Sequence, residues 1–173
     1  DSVLLAEQSN GFVSQISKSN VVILPSNIKV LHGHFYFNRL HSAYYQNAIR
    51  VVWLRDPVQR AWSSLNYWIE KNYINKLKLI ERKIPEFHGA TREELFELIL
   101  QNEDLSSIFN IYGDFLGSAE PNDFDFIGSV ESYSKDLDVL SKLLNKPMSH
   151  KTFNINRKNK PLDTEKYKAF FDV

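Results

Sequence analysis

Two short segments of this 173-residue sequence carry side chains whose types and spacing suit phosphate binding and acid–base chemistry. In the first, Arg55 follows the apolar run 49–54, and Ser63 comes eight positions later. A guanidinium before a helix, a hydroxyl about two turns into it and the free backbone N–H groups at its start are suited to holding a phosphate. The alternative is an arginine–aspartate pair at the surface and a helix whose outer residues are only polar.

The second segment contains two histidines, His32 and His34, on either side of Gly33 and directly after the apolar run 28–31. If strand geometry continues through Gly33, the two imidazoles point the same way, one pleat apart. Three interpretations stay open from the residues alone: a metal pair, a catalytic base with a supporting partner, and two histidines satisfied by local hydrogen bonds. Because the chain has no cysteine and only His41 is nearby, we expect no metal site here.

Four short runs rich in β-branched or aromatic residues predict the strands that position these segments. The nearly continuous apolar character of the first three is expected of strands that are covered on both faces, and the fourth is a further candidate strand. The runs are 21–24, 28–31, 49–54 and 124–130. Helical patterns interleave with them, which predicts an α/β fold with a mainly parallel central sheet flanked by helices. No linker or repeat divides the chain, so residues 1–173 are predicted to form a single domain.

A helix is predicted directly after the run that ends at residue 54. Asp56 can cap it, Pro57 suits its first position, and Gln59 completes a variant capping box. Its apolar stripe consists of Val58, Ala61, Trp62, Leu65, Trp68 and Ile69. The opposite face carries Arg60, Ser63, Ser64 and Tyr67. Two more helices are predicted from the capping box at 91–94 and from the stripe of Tyr133, Leu137, Leu140 and Leu144.

The composition of the chain argues against some classes of partner. Lys+Arg and Asp+Glu both count 21, so no global field draws the protein to nucleic acid or to an anionic membrane, and any anion site must be local. No apolar run approaches the ~20 residues that span a bilayer. The basic stretch 71–83 can face an anionic acceptor, but such a run is more often a solvated helix face.

The segment 51–63, VVWLRDPVQRAWS, resembles the 3′-phosphate motif of sulfotransferases, above all of their carbohydrate (heparan-sulfate-type) branch. The segment 31–35, LHGHF, resembles the His-Gly-His segment of hexuronic-acid 2-O-sulfotransferases. The resemblance spans roughly residues 32–159. It implies a P-loop-nucleotide-hydrolase-like fold and transfer of a sulfuryl group from 3′-phosphoadenosine-5′-phosphosulfate (PAPS). The acceptor would be a hydroxyl, carried by a saccharide in this branch, and the product would be adenosine 3′,5′-bisphosphate (PAP).

The resemblance also implies roles for individual residues. Arg55 and Ser63 match the positions that bind the 3′-phosphate, whereas Arg60 matches the motif but is interpreted as structural. His34 matches the proposed general base, with His32 beside it in the catalytic segment. A positioned base contributes typically ~10²–10⁴-fold to the rate.

Two later segments have counterparts in the family as well. Arg157 and Lys158 lie where the family has an asparagine-rich segment that closes over the cofactor, and they are predicted as further cofactor contacts. The unit that begins with 126–131 resembles a late strand and helix of the family, and we interpret it as scaffold.

The chain departs from the family in one respect. The family begins with a strand and a loop of the Pro-Lys-Thr/Ser-Gly-Thr kind that holds the 5′-phosphosulfate, and no stretch here matches that loop. It would lie before Asp1, so we expect the sequence to be a fragment that lacks the first strand and loop.

Two other functions compete with sulfuryl transfer. One is a non-catalytic relative that binds a glycan or a nucleotide, and the other is a P-loop-type kinase, which would need Mg²⁺ ligands. The sequence predicts neither the acceptor nor an oligomeric state. A bacterial member of the family would be cytoplasmic, and a eukaryotic one would lie in the Golgi lumen.

Overall fold

A computed structural model describes residues 2–5, 28–32, 39–149 and 162–171 of the chain. The strands are β1 (Ser2–Leu5), β2 (Ile28–His32), β3 (Val51–Leu54) and β4 (Phe126–Ser129). The α-helices are α1 (Arg39–Tyr44), α2 (Pro57–Glu70), α3 (Ile74–Lys83), α4 (Arg92–Gln101), α5 (Glu103–Ser106), α6 (Ile111–Leu116) and α7 (Tyr133–Leu143). Short 3₁₀ segments cover Pro85–His88, Ser107–Phe109, Pro121–Asp123 and Glu165–Phe170. The α/β class is therefore confirmed.

Two compact units make up the chain. The first unit comprises Asp1–Val51 and Asn110–Asp125, and the second unit comprises Val52–Phe109 and Phe126–Val173. The single domain expected from the sequence stays a prediction.

Strands β1 and β2 of the first unit pair in parallel. The register places Val3 opposite Val30 and Leu5 opposite His32, with an irregularity between Ser2 and Val3. Strand β2 confirms the predicted run 28–31, whereas β1 has no counterpart among the predicted strands. Only four residues form β1, and this is too short a run to show a period in the sequence. The predicted strand 21–24 lies outside the described residues.

Two arginines hold the remaining described segments of the first unit together. Arg39 donates to the carbonyl oxygen of Ser118 at 3.0 Å, and its guanidinium lies 3.5 Å from a carboxylate oxygen of Asp123. Arg50 donates to Asp125 Oδ2 from its backbone N–H at 2.7 Å and from Nε at 3.2 Å. These contacts join positions about 75 to 84 residues apart in the sequence.

Strands β3 and β4 form a second pair. The ring of Trp53 lies 5.8 Å from that of Phe126 and 5.0 Å from that of Tyr133. A Cβ at Gly128 would approach the Trp53 ring to 2.6 Å, so the absence of a side chain lets this ring pack on β4. Gly128 is buried, but its neighbour Ile127 is 43% exposed. Alternate residues of β4 face opposite sides, and one of these sides is open.

The start of α2 follows the sequence signals except in one bond. Asp56 is the N-cap, and its Oδ1 accepts from the backbone N–H of Gln59 at 2.9 Å. Pro57 takes the first helical position, as predicted. The capping box with the Gln59 side chain is wrong, because the backbone N–H of Asp56 donates instead to Glu131 Oε1 at 3.1 Å. The carboxylate of Glu131, distant in sequence, therefore replaces the side chain of Gln59 as the acceptor of this N–H.

The core of the second unit is built on the predicted apolar stripe of α2. The buried residues of this stripe are Val58, Ala61, Trp62, Leu65 and Trp68. The rings of Trp62 and Phe96 lie 5.4 Å apart, edge to face, and the Phe96 ring also meets that of Tyr167 at 5.2 Å. Aromatic pairs of this kind add ~0.5–1.5 kcal/mol beyond the burial of their area.

A buried polar side chain also links α2 to α4. Asn66 is 2% exposed, and it donates to the carbonyl oxygen of Trp62 and accepts from Arg92 at 2.7 Å. Its amide therefore has the partners that a buried polar group requires.

The other two predicted helices are confirmed. Thr91 and Glu94 form both halves of the predicted capping box at the start of α4. Leu137 and Leu140 are the buried residues of α7. None of the described helices is long and apolar enough to cross a membrane.

Candidate anion site at the start of helix α2

Arg55 and Asp56 form the two-residue connection between β3 and α2 in the second unit. In α/β folds ligands bind beyond the carboxyl ends of the strands, and Arg55 directly follows such an end. Its side chain is 32% exposed, so the guanidinium is partly accessible to a ligand. The backbone N–H groups of α2 also point toward this end of the helix, where the helix dipole favours negative charge.

The carboxylate of Glu131 lies at this junction. Its Oε1 is 3.8 Å from Arg55 Nε and accepts the backbone N–H of Asp56 at 3.1 Å. Its Oε2 accepts from Ser129 Oγ at 2.6 Å. Glu131 thus connects the turn after β4 to the first residues after β3.

Hydrogen bonds fix the turn that carries Glu131. Asp136 Oδ2 accepts from the backbone N–H of Ser129 at 2.7 Å and from Ser132 Oγ at 2.6 Å. The backbone N–H of Val130 donates to the carbonyl oxygen of Leu54 at 2.8 Å. The carboxylate of Glu131 is therefore held in one place by its own turn and by the end of β3.

The electrostatics of this turn keep both carboxylates charged. Partial burial by itself raises the pKa of Glu131, but the hydrogen bonds from Ser129 and from backbone N–H groups, with the charge of Arg55, bring it below the ordinary value. Hydrogen bonds from Ser132 and Ser129 lower the pKa of Asp136. At neutral pH the junction therefore contains a negative charge beside the arginine.

The outer face of α2 has the composition that the sequence predicted. Arg60, Ser63 and Ser64 are half-buried, and Tyr67 is 54% exposed. Ser64 Oγ donates to the carbonyl oxygen of Arg60 at 3.0 Å. Ser63 lies one turn beyond Arg60, so their Cβ atoms are about 5–6 Å apart. A group bound by the Ser63 hydroxyl would be within reach of the Arg60 guanidinium.

Arg60 has a polar atom without a partner. Its Nε is buried, and across the described part of the chain no acceptor lies within hydrogen-bond distance of it. Leaving a buried donor unsatisfied costs ~1–3 kcal/mol. The prediction that Arg60 is structural gains no support from this atom.

These residues fit a phosphate in part. Arg55 before the helix, and Arg60 and the Ser63 hydroxyl within its first two turns, supply positive charge and donors, although the Nε of Arg60 is itself buried. The expectation of free backbone N–H groups is wrong for most of the first turn, because Pro57 has no N–H, that of Asp56 donates to Glu131 Oε1 and that of Gln59 donates to Asp56 Oδ1. A phosphate here would meet side chains more than backbone.

The remaining predicted site residues lie in the first unit or outside the described residues. His32 is the last residue of β2 and belongs to the first unit, whereas Arg55 and Ser63 belong to the second. His34, Arg157 and Lys158 lie outside the described residues. No group of three or more histidines and carboxylates in the described ranges has the geometry of a metal site.

The basic stretch 71–83 comprises α3 and the three residues before it; most of its charged residues are exposed, whereas Ile80 is buried. A shallow open groove of about 480 Å³ is lined by Asn75, Lys78, Glu81 and Arg82. Lys83 pairs with Asp104 at 2.5 Å, and Glu81 Oε1 lies 2.7 Å from His88 Nε2. These exposed pairs are typical of a solvated helix face.

Glu131 is the site residue that the sequence interpretation missed. It lies 75 positions after Asp56, in a segment interpreted as scaffold. One signal was present: an acidic residue directly follows the apolar run 124–130. Since the carboxyl ends of parallel neighbouring strands lie at one edge of a sheet, that acid was placed to meet Arg55.

Comparison with known proteins adds no relative to this description: no protein-family model, no curated protein and no solved structure matches the chain.

Proposed function

We propose that this chain is a sulfotransferase that moves a sulfuryl group from PAPS to a hydroxyl of a saccharide, on a P-loop-like sulfotransferase fold. The observation that supports the proposal most is the β3–α2 junction. There Arg55 directly follows a strand, Asp56 caps the helix, and Ser63 lies in its second turn on the outer face. These positions coincide with the sulfotransferase-like 3′-phosphate motif in the sequence.

Arg55 and Ser63 have the role of anchoring the nucleotide. A guanidinium offers paired donors that match the geometry of a phosphate, and a serine hydroxyl adds one more donor. By holding the 3′-phosphate, the two side chains fix the nucleotide and thereby the position of its reactive end. In phosphoryl transfer such positioning and charge stabilisation supply most of the catalysis, and the same reasoning applies here.

His34 has the role of general base, with His32 beside it in the sequence. The donor supplies an activated sulfuryl group when it is bound. His34 takes the proton of the acceptor hydroxyl as the acceptor oxygen bonds to sulfur, and the sulfur–oxygen bond to the bisphosphate breaks. Arg55 and Ser63 retain the departing bisphosphate through its 3′-phosphate.

Ligand-dependent thermal unfolding of the chain tests this proposal. The ligands are PAP, its 2′,5′-isomer, which has equal charge, and 5′-AMP, which lacks the second phosphate. A ligand at 100 times its dissociation constant stabilises by ~2.7 kcal/mol, a shift of several degrees. We expect PAP to raise Tm more than both other ligands. Equal shifts for PAP and its isomer would show that Arg55 and Ser63 do not recognise a 3′-phosphate.

One observation favours a second function, a non-catalytic protein that binds a glycan or a nucleotide on the same scaffold. Glu131 places a carboxylate 3.8 Å from Arg55 Nε, and this carboxylate weakens an anion site. The two functions separate in an assay with ³⁵S-labelled PAPS and a panel of saccharide acceptors. Label in the saccharide supports transfer, whereas selective binding of PAP without any labelled product supports the second function.

A further inference from the structure

Glu131 lies against Arg55, a side chain that the proposed function assigns to a phosphate. Its Oε1 accepts the backbone N–H of Asp56 at the start of α2 and lies within ion-pair distance of Arg55. A helix start and a guanidinium are the usual partners of a bound anion. The protein thus supplies an anion of its own at this place.

The charge of Glu131 is separable from its hydrogen bonds. Oε1 accepts from Asp56 at 3.1 Å, and Oε2 accepts from Ser129 Oγ at 2.6 Å. A glutamine has a carbonyl oxygen for the first bond and an amide N–H that can donate to Ser129 Oγ for the second. The hydrogen bonds alone therefore do not require a carboxylate, whereas the attraction to Arg55 does.

We propose that Glu131 is a resident anion, a side chain whose negative charge competes with a bound phosphate for Arg55 and so sets the affinity of the site. The identity of the ligand, a 3′-phosphate, rests on the proposed function, but the competition applies to any phosphate at Arg55. Two like charges that share one guanidinium repel each other. Glu131 consequently weakens the complex and favours release of the bisphosphate after transfer.

The test compares the wild-type protein with Glu131→Gln, and Glu93→Gln is the control. Glu93 is an exposed residue of α4, so the control makes the same change in net charge on another element. Two probes are titrated by calorimetry, inorganic phosphate and PAP. We expect Glu131→Gln to bind phosphate roughly tenfold more tightly at low salt, as removal of a unit charge a few ångströms away implies. The Glu93→Gln protein should bind like the wild type.

The salt dependence of phosphate binding distinguishes competition by charge from a structural effect of the substitution. Because Glu131 is 45% exposed, its repulsion of the ligand is screened, and the gain in Glu131→Gln should shrink as the salt approaches 1 M. Equal or weaker phosphate binding by Glu131→Gln at low salt would overturn the inference and make Glu131 a residue that positions Arg55. Tighter phosphate binding without selectivity for PAP would uphold the inference and overturn the proposed nucleotide.

A second variant keeps the test decisive if Glu131→Gln fails to fold. Ser129→Ala removes the hydroxyl that fixes Oε2 and lets the carboxylate move away from Arg55. We expect phosphate to bind about two- to threefold more tightly to it. Unchanged or weaker phosphate binding in a folded Ser129→Ala protein would contradict the competition.

Discussion

The two faces of helix α2 differ in burial and in polarity. On the core face, Val58 and Leu65 are fully buried and Trp62 meets the Phe96 ring. On the outer face, the Nε of Arg60 has no acceptor among the described residues. The Nε1 of Trp62 on the core face is likewise buried without an acceptor in the described part of the chain, so the faces differ in packing and not in unsatisfied donors. The core face therefore provides packing, and the outer face carries the polar side chains to which the proposed function assigns the nucleotide.

The largest expected effect is a loss of stability when a side chain of the core face is truncated and the outer face is left unchanged. Leu65→Ala should destabilise the protein by ~2–5 kcal/mol, because it removes a fully buried side chain and leaves a cavity. Ser64→Ala, on the outer face of the same helix, should stay within ~0.5 kcal/mol of the wild type. Urea unfolding of both variants measures the contrast. Similar losses from the two changes would show that the outer face also holds the fold together.

The next effect concerns ligand binding without a change in stability. Arg55→Ala should weaken PAP binding by ~1.5–3 kcal/mol, the range for a hydrogen bond to a charged group. Binding of 5′-AMP should change little, because that ligand lacks the 3′-phosphate. Calorimetric titration with both nucleotides tests the assignment, and an equal loss for the two would contradict it.

A smaller loss of stability is expected when the N-cap of α2 is removed. Asp56→Ala removes the N-cap that accepts the N–H of Gln59 at 2.9 Å, and it should cost ~1 kcal/mol of stability. Thr91→Ala at the start of α4 is the matched control, because Thr91 also caps a helix but lies outside the candidate site. Both should lower stability to a similar degree in urea unfolding, and only Asp56→Ala should alter phosphate binding. Altered phosphate binding in Thr91→Ala would mean that helix stability itself controls the site.

The smallest effect is a dependence of stability on pH. Hydrogen bonds from Ser132 and Ser129 lower the pKa of Asp136 from its ordinary value of 3.8. A lowered pKa means that the stabilisation is present above that value and is lost as the pH falls through the folded-state pKa. Stability should therefore decline as the pH is lowered below about 4, and Asp136→Asn should reduce the slope. Thermal unfolding from pH 6 to pH 2.5 measures it, and an unchanged slope in Asp136→Asn would contradict the assignment.

The sequence predicted the parts of this molecule that depend on neighbouring residues. The start of α2 followed from Asp56 and Pro57, and the start of α4 followed from Thr91 and Glu94, because capping acts over three or four positions. The core face of α2 followed from its helical period. Placement of Arg55 just after a strand followed from the apolar run before it.

The parts that depend on distant residues were not predictable in the same way. Glu131, and not the side chain of Gln59, accepts the backbone N–H of Asp56. Asp56 and Glu131 lie 75 positions apart in the sequence, and no local pattern encodes this contact. The open side of β4 depends on which elements cover the sheet, which an apolar run does not specify. Strand β1 was too short to show a period.

Amide NMR during titration with PAP tests the central claim, a 3′-phosphate site at the β3–α2 junction, most directly. We predict that the backbone amides of Arg55, Asp56 and Ser63 shift progressively with PAP and shift less with 5′-AMP. The amide of Phe96, in the core on α4, should stay in place. Shifts that leave residues 55–63 unchanged, or that are equal for both nucleotides, would contradict the claim.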